Sequence, residues 1–163
     1  MKRVIAVLMI ACVAAFLAPA APAAAQSRSE VRRHLSHRAK SQLGTDYRYG
    51  GESPRRGFDC SGFTRWTFKK VISLPHSSIR QYRRGGRDGY KRVHKRRRLK
   101  RGDLVFFKTT RAKVGHVGVY LSRGRFVHAS SSADKVTISS VYDRYYYGPR
   151  FRGGVRIPRL VKG

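Results

Sequence analysis

Apolar positions recur at four-residue steps where the polar part of the chain begins. Val31, Leu35, Ala39 and Leu43 are separated by Arg, His and Lys, a spacing that predicts an amphipathic helix over 29–43 with Gly44 as its stop. The stretch 47–58 holds Gly50, Gly51, Pro54 and Gly57 and reads as loop. Asp59 suits an N-cap, so a second helix is expected to begin at Cys60 and run through Phe63, Trp66, Thr67 and Val71. Pro75 closes that segment, and Ser77 or Ser78 can cap a short helix through Tyr82. From Arg83 to Arg101 the pattern gives way to glycine and basic residues, including Lys95-Arg96-Arg97-Arg98, and a solvated loop is expected.

Beyond that loop the residues favour strands. The segments 104–108, 116–121, 125–129, 136–139 and 155–157 are β-rich and separated by turn residues. Helices first and strands after predict an α+β domain, with N-terminal helices packed on one antiparallel β-sheet. No internal repeat is visible, and 163 residues suit a single domain.

The beginning of the chain has a different character. Lys2 and Arg3 precede an apolar run from Val4 to Leu17, shorter than the roughly 20 residues of a membrane span. Ala23-Ala24-Ala25 then offers a small-residue cleavage site, so 1–25 reads as a signal peptide and Gln26 as the first mature residue. Cleavage before Cys12, as in a lipoprotein, is disfavoured because the apolar run continues to Leu17. The mature chain is expected to cross the inner membrane to the periplasm or cell wall and to keep no membrane span. Residues 26–41 form a helical extension and 42–160 the main domain.

Charge and cysteine usage sharpen this picture. With 37 basic and 8 acidic residues the formal net charge is +29, and removing the leader lowers it by only two. Such an excess attracts polyanions, which outside the cell are wall polymers before nucleic acids, but it says nothing about a reaction. The run 91–101 is the densest, and it is either a wall-anchoring surface or a solvated face. Cys12 and Cys60 are the only cysteines, so the mature chain carries one thiol in an oxidising compartment. Such a thiol is reactive, paired between molecules, or buried and inert.

The position of Cys60 favours reactivity. At the first turn of a helix, unpaired N–H groups and the dipole favour an anion, which lowers a thiol's pKa and supplies the attacking thiolate. Gly62 leaves room for a close approach, and the Cys60 N–H points where an oxyanion could form. A nucleophile of this kind needs a base and a group to orient it. His116 and His128 lie on neighbouring strands; with Ser122-Arg123-Gly124 as the turn, Gly118 faces His128 and the two histidines are diagonal neighbours about 7–8 Å apart at the backbone. A two-residue turn would place them on opposite faces. His116 is then the base and His128 its orienter. His34, His37, His76 and His94 sit in basic stretches and are assigned no role. No His-Glu-x-x-His or paired-cysteine spacing occurs, so neither a metal nor another cofactor is expected. Glu30 and Glu52 are the only glutamates, which gives a glycosidase carboxylate pair little support.

Several blocks together are similar to a known family. Tyr47-Arg48-Tyr49-Gly50-Gly51, Gly57-Phe58-Asp59-Cys60-Ser61-Gly62-Phe63, Leu74-Pro75, Gly102-Asp103-Leu104-Val105-Phe106-Phe107, His116-Val117-Gly118-Val119-Tyr120 and Phe126-Val127-His128-Ala129-Ser130 follow the order of the NlpC-type cysteine peptidases. The resemblance implies a small papain-like fold and hydrolysis of peptidoglycan stem peptides through a thioester acyl-enzyme. By position it makes Cys60 the nucleophile, His116 the base and His128 the orienter. Tyr47 would offer its hydroxyl to the oxyanion or substrate, while Asp59 and Ser78 would lie near the stem-peptide subsites. Ser61 falls in the same group, or serves only the helix cap.

Departures from the pattern are His76, where many relatives have Arg after Leu-Pro, Arg101, where many have Pro, and the basic stretch before it. Two other readings stay open. The same residues could run an acyl transfer on another amide, or a non-catalytic cationic domain could bind wall polymers or other polyanions. A monomer with no specific nucleic-acid partner is expected.

Overall fold

The computed structural model describes residues 27–111 and 113–161; the expected signal peptide, with Cys12, lies outside the described residues. Helix α1 (Arg28–Lys40) opens with a reciprocal cap, the Ser27 side chain accepting the Glu30 N–H and the Glu30 carboxylate accepting the Ser27 N–H. Such a pair satisfies two of the donors a helix start leaves free. Val31, Leu35 and Ala39 are buried as their spacing predicts. The helix stops at Lys40, short of Leu43, which is 44% exposed. The reason is tertiary: the Gly44 N–H donates to Val136 O at 2.9 Å, and Gly44 takes a φ of +86°, so the chain turns to join the sheet.

A small antiparallel pair follows, β1 (Glu52–Ser53) with β2 (Gly57–Phe58). Helix α2 (Cys60–Phe68) begins one residue later, and α3 (Ser78–Arg83) is capped by Ser77. The remaining strands are β3 (Lys91–Val93), β4 (Leu104–Phe107), β5 (His116–Ser122), β6 (Arg125–Ser130), β7 (Lys135–Ser140) and, after the short helix α4 (Tyr147–Arg150), β8 (Phe151–Arg156). One turn of helix, α5 (Pro158–Val161), ends the described chain. Strands β3 to β8 form one six-stranded antiparallel sheet in the order β3-β8-β4-β5-β6-β7.

Alternation along the strands divides the core in two. Leu104, Phe106, Val117, Val119, Val127 and Ala129 pack with Val31 and Leu35 of α1 and Phe63 of α2. Val105, Phe107, Tyr120, Phe126 and Val141 form the second cluster, with Tyr147 and Phe151 against it. Strand β4 lies between the clusters and is buried along its whole length. α1 shares the first cluster with α2 and the sheet, which fixes the helix start at Cys60 relative to the strands.

Other expectations change as well: 47–58 holds β1 and β2 within its loops, and α2 ends at Phe68, before Val71. The stretch 83–101 is not simply loop, because it contains β3 and a 3₁₀ turn (Arg96–Arg98), and Tyr90, Val93 and Leu99 are buried. Its few apolar residues anchor it, and their spacing matches no helical or strand period. Strand β8 starts at Phe151 rather than 155. Gly153, at φ +119°, and Gly154 weaken the strand signal; the register with β4 shifts between Phe106 and Phe107, marking a bulge. Beneath this region Arg156 donates from Nε and Nη2 to the two oxygens of fully buried Asp103, both at 2.8 Å, and the Lys100 N–H adds a third bond at 2.8 Å.

Candidate active site

Asp59 builds the start of α2. Its Oδ1 accepts the Gly62 N–H at 2.7 Å and the Ser61 hydroxyl at 2.9 Å. Its Oδ2 accepts the Gly50 N–H at 3.1 Å and lies 2.8 Å from His76 Nε2. The carboxylate therefore caps the helix and ties the Gly50 loop to it. A Cβ on Gly62 would stand 2.1 Å from Gly51 O, so the close approach this glycine permits is that of the protein's own backbone. The Ser61 carbonyl accepts from Gln81 Nε2 at 3.2 Å, and Gln81, fully buried, also holds Pro75 O at 2.8 Å. These bonds lock α2 to α3. Cys60, the first residue of α2, is thus held from both sides and is half-buried.

The histidines meet as diagonal neighbours by a different route from the one expected. Ser122 pairs with Arg125, leaving a two-residue turn at Arg123-Gly124. Such a turn alone would put His116 and His128 on opposite faces. A register shift between Tyr120 and Ser122 inserts Leu121 as an extra residue, and Val119 then faces Val127. The bulge restores the alignment. His116 Nε2 lies 2.9 Å from His128 Nδ1, and His128 Nε2 lies 3.0 Å from the Ser139 hydroxyl. A Cβ on Gly118 would be 2.6 Å from the Phe126 ring and 3.1 Å from His128 Cβ, so this glycine makes room for the pair.

The direction of these bonds follows from the chemistry. With Nε2 of His116 engaged by His128, Nδ1 is the nitrogen left to accept a proton from a nucleophile. That requires Nε2–H to donate to His128 Nδ1, and His128 Nε2–H to donate to Ser139. The three residues then form a chain that fixes the His116 tautomer.

Charge in the site is governed by burial. The N–H groups of Val117, Ser61 and Cys60 favour a thiolate, but desolvation first and the Asp59 carboxylate second push the Cys60 thiol up to about 11. Burial pushes His116 down to about 4 against the pull of Asp59. Burial, with His116 beside it, also holds His128 well below the usual histidine range. The expectation of a thiol lowered by the helix start is therefore corrected for the substrate-free protein: desolvation outweighs the dipole. Both shifts favour a thiol beside a neutral imidazole over a thiolate beside an imidazolium.

Of the other residues singled out, Tyr47 is half-buried against the first core cluster, with its N–H on Asp134 O at 3.0 Å. Burial, then Cys60, then Asp59 raise its hydroxyl pKa, which places it in the electrostatic reach of the thiol. Ser61 is buried and serves the Asp59 cap. Ser78 opens α3 beyond its cap Ser77, and no side-chain partner is seen for it among the described residues.

Three residues carry structure that the sequence reading missed. Ser139 ends the histidine chain. Tyr147 sets its ring 5.8 Å from His116 and 5.1 Å from His128, and burial pushes its hydroxyl up to about 12. His76 is half-buried between Asp59 and Glu52, its Nδ1 3.4 Å from Glu52 Oε2, which Arg65 holds at 2.6 Å. The same diagonal argument that joined His116 to His128 finds Ser139, once the β6–β7 register, His128 opposite Thr137, is known. No comparable signal distinguishes Tyr147 within the tyrosine-rich stretch 142–147.

Helices packed on a six-stranded antiparallel sheet, with a cysteine at one helix start and a histidine pair on the sheet, define a papain-like α+β domain. Residues 44–155 match the NlpC/P60 family, and the chain belongs to it. It is 38% identical over 116 residues to murein DD-endopeptidase MepH of Escherichia coli (strain K12), covering 67% of this chain and 41% of that one. It is 43% identical over 106 residues to a probable endopeptidase NlpC homolog of Haemophilus influenzae, covering 64% and 51%. The chain thus spans about half or less of the length of these two relatives. Among solved structures, the peptidoglycan hydrolase RipB of Mycobacterium tuberculosis superposes with a TM-score of 0.65 at 30% identity, covering 83% of this chain and 67% of that one.

Proposed function

We propose that the protein is an exported cysteine endopeptidase that hydrolyses peptide bonds in peptidoglycan stem peptides. The observation that carries this reading is the chain His116 Nε2–His128 Nδ1 at 2.9 Å, which leaves His116 Nδ1 as the nitrogen to accept a proton, next in sequence to Val117, whose N–H acts on the thiol of the helix-start Cys60. Relatives named as murein or peptidoglycan endopeptidases, MepH and LytE of Bacillus subtilis among them, supply the substrate class.

As Cys60 Sγ attacks the scissile carbonyl, its proton passes to His116 Nδ1, and the new S–C bond leaves negative charge on the carbonyl oxygen. The Cys60 N–H and the Tyr47 hydroxyl are the donors suited to that oxygen. Collapse breaks the C–N bond; His116 returns the proton to the leaving amine, and a thioester remains. Water then attacks the thioester, giving a proton to His116; collapse breaks the C–S bond, the Cys60 sulfur takes that proton back, and the product leaves as a carboxylic acid that ionises in solution. His128, held by Ser139, keeps His116 in the accepting tautomer and supports the imidazolium that forms. Asp59 and Ser78 are assigned to stem-peptide binding at the starts of α2 and α3, and Ser61 supports Asp59 through its hydroxyl.

Digestion of purified peptidoglycan, with products identified by mass, tests this reading. The protein should release stem-peptide fragments and Cys60→Ala none. Fragments from both, or from neither, would contradict it.

A further inference from the structure

We infer that the edge of the sheet formed by β3 and the following 3₁₀ turn is a binding groove for a linear polymer of phosphodiesters, separate from the catalytic cleft. Lys91, Arg92, Lys95, Arg97, Arg98 and Lys100 line a concavity of about 560 Å³ there. Among the described residues none of these six side chains is in an ion pair with a carboxylate, although the protein's other acid–base contacts engage Arg32, Arg65, His76 and Arg156. Arg92 differs from the other five: its guanidinium stacks 3.9 Å from the Tyr82 ring centre and donates from Nη2 to Gly85 O at 3.0 Å, beside the neighbouring concavity that Tyr82 and Gly85 line.

The frame beneath these cations is fixed. Arg92 pairs with Val155 and Val93 with Gly154; Val93 and Leu99 are buried. Arg96 turns inward, hydrogen-bonded to Gly148 O and stacked 4.9 Å from the Phe151 ring centre. Arg156 Nη2 holds Arg98 O at 3.0 Å. One arginine of the basic run thus serves as an anchor, and the exposed cations stand on backbone that does not have to be ordered on binding, which lowers the entropic cost of association.

The lining also selects the occupant. It holds no Phe, Tyr or Trp ring, so the base-stacking platforms typical of single-strand nucleic-acid binders are absent from it. Its apolar side chains, Val93 and Leu99, are 4% and 7% exposed and offer nothing to insert into a lipid surface. What remains is charge in a groove, rich in guanidinium groups suited to phosphate oxygens. Charged side chains on an edge strand also discourage strand pairing, but that accounts for β3 and not for the cations continuing through Lys100. Two strands, β8 and β4, lie between β3 and β5, a separation of about 14 Å at the usual strand spacing. A bound polymer therefore leaves the cleft open.

The test uses mature protein carrying Cys60→Ala, so that binding is read without hydrolysis, with poly(glycerol phosphate) as the probe in near-physiological salt. Replacing Lys91, Lys95, Arg97, Arg98 and Lys100 by glutamine should weaken binding at least about tenfold and flatten its salt dependence. Neutralising five exposed cations elsewhere, Arg33, Lys40, Arg55, Lys70 and Arg144, should change it less than about threefold. A smaller variant, Lys95→Gln with Arg97→Gln, should give an intermediate loss if the larger one folds poorly. Equal losses from the two five-residue sets would overturn the groove and leave only general charge attraction. Tighter binding of single-stranded DNA or of phosphatidylglycerol vesicles, lost with the same five residues, would overturn the choice of polymer.

Discussion

The start of α2 with the histidine pair and the β3 edge are both dense in ionisable groups, yet they use them in opposite ways. At the first, burial opposes charge: it pushes a thiol up to about 11 and an imidazole down to about 4. At the second, exposed lysines and arginines stand around a groove, and the Asp103 carboxylate there is buried and taken up by Arg156 and the Lys100 N–H. The difference teaches that the reactive end depends on precise proton placement among partly buried groups, whereas the edge depends on the number of solvated charges. Each end should therefore fail independently of the other.

The largest separation is expected from Cys60→Ala, which should lower stem-peptide cleavage by about 10⁴-fold or more while leaving wall sedimentation unchanged. Asp103→Asn attacks what the two regions share. The buried pair with Arg156 holds β8 against the Lys100 turn. Its loss should cost about 3–5 kcal/mol in denaturant unfolding and loosen polymer binding as well. An unchanged unfolding midpoint would show that the frame does not hold the edge.

Smaller effects test the histidine chain. Acidification should destabilise the fold between about pH 6.5 and 4. In that window the unfolded chain binds protons on His116 and His128 that the folded chain refuses, so stability falls as pH falls. Thermal unfolding followed across the window should show this slope flattened in His116→Ala. Ser139→Ala removes a single hydrogen bond from His128 and should slow cleavage only about fivefold, the equivalent of about 1 kcal/mol. Its pH profile should change as well, since His128 loses the group that fixes its tautomer; a loss of stability alone would assign Ser139 to packing.

How far the sequence disclosed this arrangement differs between residues. The Asp59 cap and Cys60 at the first helical residue follow from local rules, and the structure places them so. The His116–His128 pairing was also legible, but only through a turn length that happened to give the right alignment: a two-residue turn plus the Leu121 bulge replaces three turn residues. A bulge is a tertiary choice with little local signal. Ser139 depended on the next hairpin's register, and Tyr147 on which of several adjacent tyrosines faces inward. His76 looked like one more residue in a basic chain because its partners, Asp59 and Glu52, lie 17 and 24 positions earlier. Arg83 to Arg101 misled for a simpler reason: its charge hides the buried Tyr90, Val93 and Leu99 that fold it.

The central claim is that His116 makes the Cys60 thiol reactive. The rate of Cys60 alkylation by iodoacetamide across pH 3–9, compared between the mature protein and His116→Ala, tests it without any substrate. The account predicts at least about tenfold faster modification of the unaltered protein at neutral pH, falling away near pH 4, where His116 takes up its proton. Identical profiles, both rising only in alkali, would make Cys60 an ordinary buried thiol and contradict the account.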